Sequence, residues 1–534
     1  MALFALLLWV ELPGSWLTEP DEARYAEIPR EMIASGDVIT PRLNGAPYLE
    51  KPPLLYWLNG AAIRVLGPTP FAARLASRLA AMATAVMLIA ALDADLAGWG
   101  WFAALIVLSC PLGFAFGRYN ATDGLLTAAL TLALLALRRV LAAPDGKRPG
   151  VAVTATLGGG MALAVLAKGL PGVVFPMMVA LGWCAVMRRW RQLAQIILSP
   201  APVVFLAVAA PWFALVERAN PGFARFFFLH EHLERFATTE AHRTGSFLFP
   251  TLILLAGLLP WTPFVVQSAV SSAGRRLAKL RSDGDALFFI LWMVSVLVVF
   301  SLSQSKLISY VLPAVPAAAA LAARSLVRGD IALGKAVIGL AILASITIAG
   351  GIAFGVTSGE FSRYSVTNLA LFAGASVLTG VWASVWRVRQ SKPPLAPLSL
   401  GIAGLYLALV LALPKVSDDL TGHDVAVAAG RVPDATVVSY RTFLYTLPWH
   451  LGHPVAAAGH VGEIGSLGGR PPQLDWTREE LWRRWNSGER LVVVLQRRRA
   501  TEFRDSVTVA ARAVASDRRY LVFANFDSTP LSAP

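Results

Sequence analysis

The sequence predicts an α-helical, polytopic membrane protein with a small soluble α/β domain at its C-terminal end, and three observations predict it. Of 534 residues, 56% are hydrophobic and only 15% charged, whereas a soluble chain is about a quarter charged. The apolar residues come in blocks of about 17 to 25, the length that spans a bilayer, separated by short polar breaks. After Pro414 the blocks stop and strand-like runs alternate with polar, turn-rich stretches. An ordinary soluble protein is excluded.

In chain order the apolar blocks fall at residues 2–16, 75–96, 99–116, 123–141, 151–166, 169–187, 193–216, 249–271, 286–303, 310–326, 332–356, 369–388 and 395–414, which makes about 13 transmembrane helices. The first lacks a basic flank and a small-residue cleavage site, so it reads as a short retained span or as a start chosen late in the chain, not as a signal peptide. Cys110 and Cys184 both lie inside apolar runs, which leaves no disulfide framework and no thiolate metal site.

The net charge of +14 would suggest a nucleic-acid partner in a soluble chain. Here the positive-inside rule accounts for most of it, and no nucleic acid is expected. Arg138, Arg139, Lys147 and Arg148 follow the fourth span, Arg188, Arg189 and Arg191 the sixth, and Arg275, Arg276, Lys279 and Arg281 the eighth. Arg324, Arg328 and Lys335 follow the tenth, and Arg387, Arg389 and Lys392 the twelfth. These loops define a cytoplasmic side, so the opposite face receives the long loops 17–74 and 217–248 and the tail. The expected division is a membrane domain over 1–414 and a soluble periplasmic α/β domain over 415–534, with strands near 435–440, 490–495 and 520–526.

Ionisable groups close to a bilayer are costly unless paired or hydrated, so a cluster of them signals function by default. Glu19, Asp21, Glu22, Arg24, Glu27, Arg30 and Glu31 crowd the first outer loop. From Pro20 onward the acidic residues share one side of a helical repeat, while Ala23, Tyr25, Ala26 and Ile28 form an apolar stripe, as in an interfacial amphipathic helix. That helix could be a structural lid, with Asp21 only its cap. Tyr48, Glu50 and Lys51 precede Pro52 and Pro53, which forbid continued helix at Lys51.

Arg118 and Asp123 share a turn between spans and could simply neutralise each other, and Asp123 also suits a helix cap. His230 and His232 with Glu231 and Glu234 have a metal-compatible but unspecific spacing. Lys168 and Lys306 lie at outer span ends, where snorkelling is the plain reading, with Tyr310 one turn after Lys306. Several cations converging near the outer face would suit a lipid-linked phosphate.

The runs DEARYAEIPREMIASGDVITPRLNGAPYLEKPPLLYWL, RYNATDG, AKGLPGVVFP, HEHLERF and SQSKLISYVLPAVPA together resemble the aminoarabinose transferases of lipid A and their relatives in glycosyltransferase families 83 and 39. The resemblance covers about the first 330 residues; the later spans and the tail match only in layout. It implies a GT-C fold and a polyprenyl-phosphate sugar held in a periplasm-facing cavity. It makes Asp21 catalytic, places Lys51, Lys168, Arg235 and Tyr310 around the donor phosphate, and gives Arg24, Tyr48 and Asp123 as cavity positions. It associates Glu50 and His230 with a divalent metal, zinc or magnesium.

The implied partners are an undecaprenyl-phosphate-linked sugar donor, lipid A or another envelope acceptor, and the lipids of the bacterial inner membrane. No Walker motif or GxGxxG context is present, so no nucleotide is expected. Within this class the competing assignment is a protein O-mannosyltransferase or another envelope glycosyltransferase. Outside it stands a transporter of an anionic lipid or solute, which would need charges at the midplane and broken helices instead of charges gathered in outer loops.

Overall fold

The computed structural model describes residues 1–144, 148–234, 245–273, 281, 283–328, 364–390, 395–459, 469 and 471–526. The chain divides into two compact units: Met1–Glu11 with Ala76–Ala214 and Phe227–Ala412, and Leu12–Leu75 with Leu215–Phe226 and Leu413–Pro534.

The first unit is helical. Among the described residues, seven helices are long and apolar enough to cross a membrane, from Pro70–Leu92 to Ala396–Pro414. An eighth crossing results if Trp99–Ser109 and Pro111–Arg118, bent by 66°, form one broken span. The chain is a multi-pass membrane protein. The expected count of about 13 is not reached among the described residues: Ala2–Trp9 and Pro171–Met187 are short, and block 249–271 is split into Phe249–Gly257 and Thr262–Ala273. The block at 332–356 lies outside the described residues. Cys110 and Cys184 are buried free thiols.

Helix pairing in this unit follows small residues. A Cβ at Gly160 would lie 2.7 Å from the backbone nitrogen of Ala133, so glycine lets the helices Thr122–Leu141 and Val151–Lys168 approach backbone to backbone. Indole N–H groups buried in the bundle find carbonyls: Trp99 donates to Ala320 and Trp292 to Pro313, each at 2.8 Å.

The second unit joins the first outer loop to the tail. The tail forms a six-stranded sheet, ordered β5-β4-β3-β6-β8-β7, from β3 (Thr436–Tyr440), β4 (Ala456–Ala458), β5 (Asp475–Trp476), β6 (Leu491–Gln496), β7 (Arg512–Ser516) and β8 (Tyr520–Ala524). Strands β3, β4, β5 and β6 pair in parallel, and β8 pairs antiparallel with β6 and β7. Three of these strands lie where the sequence places them. Val438, Tyr440, Trp485, Val493, Phe503 and Phe523 belong to the buried core.

In the loop, β1 (Arg42–Leu43) and β2 (Ala46–Pro47) make a hairpin. Its turn is Asn44-Gly45, both with positive φ, as a two-residue turn of this type requires.

Candidate functional site

The loop motif folds as a helix, Asp21–Ser35, that ends at Gly36 in the left-handed conformation. It is not an interfacial amphipathic helix with a solvated acidic face: Glu22, Glu27 and Glu31 are buried along with Ala23, Tyr25, Ala26 and Ile28. Buried carboxylates need partners, and each has one. Glu22, 1% exposed, takes a two-pronged bond from Arg74 at 2.8 and 2.7 Å. Glu27 is held by Arg30 at 2.6 Å on both oxygens. Glu31 accepts the turn N–H groups of Asn44 and Gly45 at 2.5 and 2.9 Å. Burial pushes Glu27 up to about 8 and raises Glu31 in the same sense, against the opposing pull of these bonds.

Asp21 differs from its buried neighbours. The helix begins at Asp21 itself, Pro20 occupies the cap position, and no side-chain cap bond forms, so the plain reading of Asp21 as a cap is not what the structure shows. Its carboxylate is 40% exposed and pairs through Oδ1 with Nη2 of Arg24, which is 7% exposed. The Arg24 guanidinium lies 5.1 Å from the Tyr25 ring centre and 5.6 Å from those of Tyr48 and Tyr445. A buried cation is thus enclosed by aromatic faces with an accessible carboxylate at its mouth. Nearby in sequence, the buried Tyr48 hydroxyl donates to Glu50 at 3.2 Å, and Lys51 donates to the Glu50 carbonyl at 3.0 Å. Burial raises the Tyr48 phenol.

In the helical unit, the antiparallel pair Thr122–Leu141 and Val151–Lys168 brings the start of one helix to the end of the other. Asp123 and Lys168 form an ion pair there. Asp123 makes no side-chain cap bond. Arg118 donates to the Leu7 carbonyl at 2.6 Å. The Lys168 ammonium lies 4.6 Å from the Tyr310 ring centre, so it is engaged inside the unit instead of snorkelling. Lys306 behaves differently: it donates to the carbonyls of Ser301 and Ser303 at 3.0 and 2.7 Å, closing the end of the Gly284–Leu302 helix. His230 lies in a π-helix, Phe226–Glu234. Arg235 lies outside the described residues.

Sequence reading missed the Arg74 partner of Glu22 and the role of Glu19. The Glu19 carboxylate accepts bonds from the backbone N–H groups of Tyr445, at 3.2 Å, and Thr446, at 2.6 Å, and from the Thr446 hydroxyl. Burial pushes Glu19 up to about 7, opposed by the Thr446 and Tyr445 bonds and by Arg24. No local pattern could reveal a bond spanning more than 400 residues.

The family model for dolichyl-phosphate-mannose-protein mannosyltransferase matches residues 4–227, and that for the aminoarabinose transferase C-terminal domain matches 425–525. An undecaprenyl phosphate-alpha-4-amino-4-deoxy-L-arabinose arabinosyl transferase of Edwardsiella ictaluri is 31% identical over 433 residues, 77% of this chain and 76% of the relative. One from Sodalis glossinidius is 34% identical over 328 residues, 61% of this chain and 58% of the relative. The match thus spans less than two thirds of the Sodalis protein. The crystal structure of ArnT from Cupriavidus metallidurans bound to undecaprenyl phosphate aligns with a TM-score of 0.85 at 28% identity, covering 99% of this chain and 98% of that one. The chain has that GT-C fold.

Proposed function

We propose that this chain, which belongs to the family of undecaprenyl phosphate-alpha-4-amino-4-deoxy-L-arabinose arabinosyl transferases, moves a sugar from undecaprenyl phosphate to lipid A or a related envelope acceptor. The observation that carries the proposal is the near-complete alignment with a relative solved with undecaprenyl phosphate bound. The reaction takes place on the periplasmic face of the inner membrane, where the positive-inside rule puts loops 17–74 and 217–248 and the tail. The membrane domain over 1–414 and the soluble domain over 415–534 belong to the same proposal, as does a bundle of about 13 spans.

The acceptor oxygen attacks the anomeric carbon as the bond to the polyprenyl phosphate breaks, and the leaving phosphate takes the electron pair. Lys51, Lys168, Arg235 and Tyr310 stabilise that charge. Where the acceptor is a hydroxyl, Asp21 takes its proton. Where it is a lipid A phosphate, the nucleophile is already anionic and Asp21 orients it. A single displacement inverts the anomeric centre. Among the described residues, no three His, Cys, Asp or Glu side chains gather as a metal cage. Zinc or magnesium on Glu50 and His230 remains a proposal; exhaustive chelation should lower turnover, and undiminished turnover would remove it.

Mass spectrometry of lipid A from cells with and without the gene tests the acceptor. A lipid A lacking a sugar in the deletion supports the proposal, whereas an unchanged lipid A with altered envelope glycoproteins favours protein O-mannosyl transfer. The amino-terminal family match specifically supports that second reading.

A further inference from the structure

We propose that the C-terminal domain is a working part of the transfer site, with Tyr445 as a positioning residue that holds Arg24 and, through it, the Asp21 carboxylate. The inference rests on the assignment of Asp21 above.

Three rings face the Arg24 guanidinium, and they come from three stretches of the chain: Tyr25 from the motif helix, Tyr48 from beyond the hairpin, and Tyr445 from the tail. A guanidinium removed from water is stabilised by such faces, and its planar fork then keeps a fixed direction. Arg24 Nη2 holds Oδ1 of Asp21, which leaves Oδ2 as the oxygen able to take a proton. Loosening the cage lets the guanidinium tilt, and the carboxylate follows it. A misplacement of about 1 Å at a reacting group can cost about a hundredfold.

The tail segment that carries Tyr445 is itself pinned to the loop at several points. Glu19, two residues before Asp21, bonds the N–H groups of Tyr445 and Thr446. Within the tail, the Thr446 hydroxyl also reaches the Thr421 carbonyl at 2.7 Å. Arg30 donates to the Gly452 carbonyl at 2.6 Å. Asn44 makes a reciprocal pair with Val455, Nδ2 to the carbonyl at 2.8 Å and Oδ1 from the N–H at 2.7 Å. The segment 445–455 is therefore held at one end by Glu19 and at the other by Asn44. Here the contacts begin at the residue that faces Arg24 and continue to Val455.

The experiment uses the full-length enzyme in lipid nanodiscs with a defined undecaprenyl-phosphate sugar and lipid A. Tyr445→Leu removes the aromatic face, Tyr445→Phe keeps it, and Phe443→Leu removes a ring that packs edge-on against Tyr445 at 5.1 Å. Tyr445→Leu should lower kcat at least tenfold with the donor KM changed less than twofold, Tyr445→Phe should restore kcat to within threefold, and Phe443→Leu should leave both near wild type. Should Tyr445→Leu not fold, Tyr445→His, a smaller ring, carries the same question, with kcat expected between those of the Leu and Phe variants' predicted values.

Wild-type kcat in Tyr445→Leu or Tyr445→His, or equal impairment in the Leu and Phe variants, overturns the proposal. Asp21→Asn is measured alongside. If it is inactive while Tyr445→Leu is normal, the tail's role falls and the Asp21 assignment stands; if Asp21→Asn is active, both fall.

Discussion

In the unit that carries Asp21, Glu22 meets an arginine 52 positions away and Glu19 meets backbone 426 and 427 positions away. In the helical unit, by contrast, Asp123 and Lys168 meet because they occupy the same end of one antiparallel helix pair. The first region builds charge into a protein interior and fixes it with long-range bonds. The second fixes it by helix length and a short connection. The first should therefore respond to loss of a partner as a fold does, and the second as a binding site does.

The largest effect expected is on the first region. Arg74→Met leaves Glu22 buried without its guanidinium, and breaking a buried pair costs about 3 to 5 kcal/mol. The apparent melting temperature in detergent should fall accordingly, and Glu22→Leu added to Arg74→Met should recover much of the loss. A wild-type melting temperature in the single variant would mean that the ion pair is not what holds the loop.

Next in size is Asp21→Asn, in which volume and hydrogen bonding are kept but charge and proton acceptance are lost. Transfer should drop at least about a hundredfold, the low end of general-base catalysis, while melting and undecaprenyl-phosphate binding stay near wild type. That result would set the exposed Asp21 apart from Glu22, Glu27 and Glu31, which the same helix buries. Near-normal turnover would return Asp21 to a structural role.

In the second region the pair can be removed as a unit. Lys168→Met with Asp123→Leu replaces two charges by apolar groups, which is often neutral for stability. Donor affinity should still weaken by about 1.5 to 3 kcal/mol, the scale of a charged hydrogen bond. Unchanged affinity would leave Lys168 and Asp123 as a helix fastening only.

The same contrast explains what could be read in advance. Most of the helical spans and the three main strands of the tail are local patterns of hydropathy, and the sequence displays them; the Asn44-Gly45 turn is of the same local kind, but the sequence reading passed over it. Asp21 and Lys51 are charges in the outer loop that topology does not explain, whereas Lys168 takes on a role only through the family resemblance. The burial of Glu22, Glu27 and Glu31 was not legible, because a helical repeat with acidic residues on one side looks alike whether that side meets water or Arg74, Arg30 and the hairpin turn. Nor could the sequence show that Tyr445 faces Arg24, since nothing near Tyr445 resembles a site motif.

The smallest effect concerns pH, and its sign follows from Glu19. Its folded-state value is raised to about 7 by burial, above the ordinary carboxylate range, so the folded state binds a proton that the unfolded state releases near 4.5. Its contribution to stability is complete below about 4.5 and is lost as pH rises through about 7. Glu27, raised to about 8, and Glu31 act in the same direction.

The wild-type melting temperature should therefore decline between pH 5 and pH 8. Glu19→Gln, which cannot ionise, should flatten part of that decline. Because the Glu19 side chain is only half-buried, the gain at pH 8 relative to pH 5 should be about 1 kcal/mol, well under the full value of the shift. A glutamine amide also cannot accept all the bonds that the carboxylate takes from Tyr445 and Thr446, so kcat should fall at both pH values even as the slope flattens. If the slope of Glu19→Gln equals that of the wild type, Glu27 and Glu31 carry the pH dependence, and Glu19 stays ionised across the range as a permanent anchor for the tail.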